Sequence, residues 1–77
     1  MKVTLESTSK IVHLMINGVA VPARVWEGMT ANGVACHAYV TRIAVNRRDD
    51  AGEFEKDLQE QRTPSPALAT IPSRLVL

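Results

Sequence analysis

Residues 10–45, KIVHLMINGVAVPARVWEGMTANGVACHAYVTRIAV, decide the fold. Asn17-Gly18 and Asn32-Gly33 each lie between runs rich in β-branched residues, the strongest short-range signal for a hairpin. A type I′ turn needs positive φ at both central residues, which Asn and Gly tolerate best. The pattern predicts three antiparallel strands over 10–16, 19–30 and 34–45.

Two-residue turns also set a register. At Asn17-Gly18, Ile16 then faces Val19, Leu14 faces Val21 and Val12 faces Ala23. At Asn32-Gly33, Val25 faces Val40, Glu27 faces Ala38 and Met29 faces Cys36. Because side chains alternate along a strand, one face gathers Val12, Leu14, Ile16, Val19, Val21, Ala23, Val25, Met29, Cys36 and Val40. Glu27 and Arg42 are its exceptions, and Gly28 marks a candidate bulge. The other face carries Ile11, His13, Met15, Ala20, Pro22, Arg24, Trp26, His37, Tyr39, Thr41 and Ile43, with Trp26 directly opposite Tyr39.

Downstream, DDAGEFEKDLQEQR reads as a helix over 51–62, with Asp50 as N-cap and Glu53 completing an acidic capping box. Phe54 and Leu58, four apart, form a narrow apolar stripe that must lie on the sheet. Thr63-Pro64-Ser65-Pro66 stops the helix. The closing run Arg74 to Leu77 is β-prone and is expected to return to the sheet, and KVTLE near the start is expected to be extended. The expectation is an α+β fold in a single domain, 1–77. It consists of a small antiparallel sheet, a three-stranded meander plus N- and C-terminal strands, with one helix packed on one face.

Composition narrows the chemistry. Seventy-seven residues with 45% apolar content suit one small domain, and a lone cysteine cannot form an internal disulfide. A single thiol fits a reducing compartment. No apolar run approaches the length of a membrane span, and MKVTLESTSK is polar where a secretory signal needs its apolar core. The net charge of +1 is too balanced for a protein that lives on phosphate contacts alone.

Trp26, Cys36, His37 and Tyr39 look at first like a reaction centre. Cys36 and His37, as neighbours in a strand, point to opposite faces and cannot form a nucleophile–base pair. His13 and His37 fall about 20 Å apart at 3.3 Å per residue, too far to share a zinc. Neither a Gly-rich phosphate cradle nor a nucleophile elbow is present. The residues predict no enzyme, no cofactor and no metal.

The second face is too apolar to be left in water without consequence. Its cover could be the chain ends, a second copy of the chain or a target. Trp, Tyr, Met and Arg are enriched in interfaces, so Trp26, Tyr39, Arg24, Met15 and His37 form the candidate partner-binding surface. The alternative is a nucleic-acid-binding sheet in which aromatic residues stack on bases and Arg24, Arg42, Arg47 and Arg48 meet phosphates. Near-neutral charge and three aromatic residues in all weigh against it. A minor structural or assembly component is the third possibility.

The strings VPARVWEG, GVACHAYVTRIAV and FEKDLQEQRTPSPALATIPSRLVL together cover most of the chain. In them the chain resembles short accessory proteins of bacteriophages and prophages, a family with no activity attached. The resemblance implies a cytoplasmic protein of the infected or lysogenic bacterial cell. It also implies action by protein–protein binding, in the style of small inhibitors or regulators of host and defence proteins.

Overall fold

The computed structural model describes residues 1–76. They form a four-stranded sheet from β1 (Val3–Ile16), β2 (Val19–Thr30), β3 (Ala35–Val40) and β4 (Arg74–Val76), in the order β3-β2-β1-β4. Two short helices follow the meander, α1 (Ala51–Leu58) and α2 (Pro66–Ala69), with a 3-10 turn at Arg48–Asp50 leading into α1. The α+β class and the three-stranded meander stand. The sheet is mixed, however, because β4 runs parallel to β1, pairing His13 with Arg74 and Met15 with Val76. Parallel neighbours require a crossover, and the intervening helices supply it. Of the returning run expected over Arg74 to Leu77, Leu77 lies outside the described residues.

The first hairpin has the expected register, with Ile16 opposite Val19, Leu14 opposite Val21 and Val12 opposite Ala23. Asn17 and Gly18 both take positive φ, 52° and 80°, as a type I′ turn demands. The second Asn-Gly pair is used differently. Thr30 N–H donates to Val34 O at 2.9 Å and Gly33 N–H donates to Thr30 O at 3.0 Å. Gly33 takes φ 82° while Asn32 stays out of the left-handed region. This is a three-residue loop closed by a left-handed glycine.

That extra loop residue shifts β3 by one position. Val25 faces Tyr39, Trp26 faces Ala38, Glu27 faces His37 and Gly28 faces Cys36. A one-residue slip turns every side chain of a strand to the other face. Tyr39 and His37 therefore join the face of Val25, and Cys36 and Val40 join the face of Trp26, the reverse of the expectation.

The N-terminal extended segment is continuous with the first hairpin strand, giving a β1 of fourteen residues. Its irregularity falls between Ser7 and Ile11, not at Gly28. The bulged groups find partners. The buried Thr8 donates its hydroxyl to Val25 O at 2.7 Å, and Arg24 Nη1 donates to Thr8 O at 2.7 Å. Arg62 N–H donates to Ser7 O and accepts from Ser9 N–H through its own carbonyl, at 3.1 and 3.0 Å.

Those last two bonds explain why α1 stops at Leu58 rather than at 62: the backbone of Arg62 is committed to the bulge. Asp50 does stand at the N-cap, but its φ of −90° and ψ of 1° are not the extended conformation a capping side chain uses, and it makes no cap bond. The TPSP segment, expected to stop the first helix, lies beyond the end of α1 and prepares the next one. Pro66 opens α2, where its missing N–H costs nothing.

Val12, Leu14, Ala23, Val25 and Leu68 form the buried core, flanked by Val21, Tyr39, Ile71 and Leu75. The C-terminal segment thus covers the core face. The expected single helix on one face is replaced by α2 on the core side and α1 over the opposite side.

Candidate binding groove

Every residue of α1 is exposed or half-buried, so the helix does not seal the sheet. Between α1 and the second face lies a groove of about 410 Å³. Ile11, Pro22, Trp26 and Val40 come from the sheet, Ile43 from the segment after β3, and Phe54 and Leu58 from α1. Arg24 and Arg42 stand on the sheet side, and Asp57 on the helix side. An apolar cleft of this size with a few polar groups on its rim has the usual build of a recognition site. Ser7, which also lines it, donates its hydroxyl to Glu60 O and so helps hold the segment after α1 against β1.

The five residues expected to share one surface are split. Trp26 and Arg24 line the groove, half-buried. Met15 lies on the same face but toward the β4 edge, opposite Ala20 and Val76. Tyr39 and His37 lie on the core face, where Tyr39 packs against the buried cluster. His37 Nε2 is 3.2 Å from Tyr39 Oη, and the two rings meet edge to face with centroids 5.4 Å apart. The separation of Cys36 from His37 onto opposite faces holds.

The core face also holds a polar lock that the strand pattern did not predict. Glu27 is 6% exposed, yet its carboxylate is satisfied by three donors. Ser65 N–H donates at 2.9 Å, Ser65 Oγ–H at 2.7 Å and Arg62 Nη2 at 2.8 Å. A charge at a core position demands such partners, so the odd Glu27 in the strand pattern was the available signal. The lock pins residues 62–65 where α2 can deliver Leu68. Hydrogen bonds from Ser65 and then the Arg62 charge hold the Glu27 carboxyl below the usual range, against the opposing effect of burial.

A depressed folded-state pKa contributes stability that is fully present above the unfolded value and is lost as pH falls through the folded one. Stability should therefore fall once pH drops below about 4.3, where unfolded glutamates titrate. Glu27→Gln is expected to be less stable than wild type at neutral pH, with the gap closing in acid. Urea unfolding at pH 7 and pH 3 checks this; a gap that stays constant would contradict it.

Among the described residues no group of three or more His, Cys, Asp or Glu side chains could hold a metal, and no helix is long and apolar enough to cross a membrane. No protein-family model, curated protein or solved structure matches the chain.

Proposed function

We propose that this chain works by binding another protein through the groove, as a phage-type accessory protein that inhibits or regulates a bacterial host or defence protein. The observation that carries the reading is the open apolar cleft between Trp26 and the Phe54–Leu58 stripe of α1. A bulky apolar side chain of the partner fits it, with Arg24 and Arg42 on one rim and Asp57 on the other to orient the partner's polar groups. The resemblance to phage accessory proteins supplies the setting.

Nucleic acid suits this groove less well. The helix wall places the carboxylate of Asp57 on the groove, where it would face a phosphate backbone. The shifted register also removes Tyr39 from Trp26, breaking the pair of stacking rings that such a binder would use.

The test begins with the protein captured from bacterial lysate by wild type, which is identified, purified and titrated. Trp26→Ala is expected to weaken its binding by about thirtyfold or more, as loss of an anchor worth about 2 kcal/mol does. Thermal unfolding should stay cooperative. A captured protein that binds Trp26→Ala as tightly as wild type would remove the groove from the account. Quenching of Trp26 fluorescence by single-stranded RNA or DNA at low salt would instead favour the nucleic-acid reading.

A further inference from the structure

The outer edge of β3 is the longer of the sheet's two edges, six residues against three in β4. Among the described residues, β3 has its ladder with β2 and no other backbone hydrogen bond. Natural edges are guarded by lysine, proline or inward charges. Ala35-Cys36-His37-Ala38-Tyr39-Val40 carries no Lys, Arg, Asp, Glu or Pro.

The phase of the ladder identifies the free groups. The bond from Thr30 N–H to Val34 O makes that pair a hydrogen-bonded one. Alternation along an antiparallel ladder then directs the backbones of Cys36, Ala38 and Val40 toward β2. Ala35, His37 and Tyr39 turn their N–H and C=O groups outward. These three outward residues are symmetric about His37.

From this we infer that β3 pairs antiparallel with β3 of a second copy, about a twofold axis at His37. His37 lies opposite the partner copy's own equivalent, and Ala35 lies opposite Tyr39 in both halves. Each of the three pairs exchanges two backbone bonds, so every outward group of both strands is satisfied. A small residue meets the one large ring, and with no acidic or basic side chain of the Lys, Arg, Asp or Glu kind on the strand, two copies do not repel along it. The interface is isologous and closes at two copies, giving one continuous eight-stranded sheet. Because the axis is perpendicular to the sheet, both Trp26 grooves open on the same side, and two sites are offered to one partner assembly. The pairing itself does not depend on what the groove binds.

Light scattering over a wide concentration series reads the mass. Wild type is expected to reach twice the chain mass. His37→Lys, at an exposed position that the fold tolerates, places like charges face to face on the axis and should return the mass to that of a monomer at low salt. His37→Ala should leave the dimer intact, since the backbone carries it. The register has its own readout. In this pairing Ala38 faces Cys36 of the other copy in a non-hydrogen-bonded pair, with Cα atoms about 4.5 Å apart. That spacing accepts a disulfide. Ala38→Cys, treated with oxidised glutathione, should run as a reducible dimer on a denaturing gel, while wild type stays monomeric there. A wild-type monomer at every concentration, a dimer indifferent to His37→Lys, or no cross-link in Ala38→Cys would each overturn the inference.

Discussion

Gly28→Ala is expected to part β1 from β2 at the open end of the sheet. A β-carbon at position 28 would sit 1.8 Å from Thr4 O, 2.8 Å from Thr4 C and 3.0 Å from Leu5 Cα. All three are backbone atoms, so no rotamer change relieves the contact. Gly28 lies opposite Leu5 in one neighbour and Cys36 in the other, and cannot retreat from one strand without leaving the other. Overpacking of side chains costs about 1–3 kcal/mol, and a backbone collision should reach or exceed about 3 kcal/mol. Amide exchange at 3–7 should lose protection first. A variant within about 1 kcal/mol of wild type in urea unfolding would contradict the close approach.

Leu68→Ala should cost nearly as much by the opposite route. Leu68 is the one residue of α2 in the buried cluster and is 4% exposed, against Val12 and Val25 at 0%. Truncating a buried leucine costs about 2–5 kcal/mol, a large part of the about 5–15 kcal/mol that holds a domain together. The loss is felt beyond the cavity. Leu68 anchors the segment that also carries Ser65 to Glu27 and leads to β4, so those contacts should loosen with it. Chemical denaturation measures the cost, and hydrogen exchange at β4 measures the spread. A loss below about 1 kcal/mol would mean that the C-terminal segment does not form the core.

Much of the architecture could be read from turn chemistry. Asn17-Gly18 fixed the first hairpin to the residue, because a two-residue type I′ loop allows one register. Asn32-Gly33 misled because the same dipeptide also ends a three-residue loop. The distinguishing residue is Thr30, whose Oγ1 accepts from Val34 N–H at 3.1 Å and so stabilises the wider turn. A hydroxyl residue at the head of Thr30-Ala31-Asn32-Gly33, with glycine in fourth place, suits a type I turn. That one residue of slip removed two of the five expected surface residues: Tyr39 and His37 turned to the core face, while Trp26 and Arg24 line the groove and Met15 stays on their face toward β4. The parallel β4 was not legible, since nothing in Arg74 to Val76 states a direction; the path of the crossover decides it. The groove was half legible. Phe54 and Leu58 were read as a stripe on the sheet, but the face they cover depends on where Arg62 and Leu68 are drawn.

Two aromatic residues that lie close together in the meander face opposite sides of the sheet. In the proposed function Trp26 contacts the partner, whereas Tyr39 packs against the buried core. The most direct measurement compares Trp26→Ala with Tyr39→Ala, each in urea unfolding and each in titration against the captured partner. The expected result is loss of binding with little loss of stability for Trp26→Ala, and loss of stability for Tyr39→Ala with binding retained by its folded fraction. A Trp26→Ala variant that unfolds while binding normally when folded, beside a stable Tyr39→Ala that no longer binds, would contradict the account.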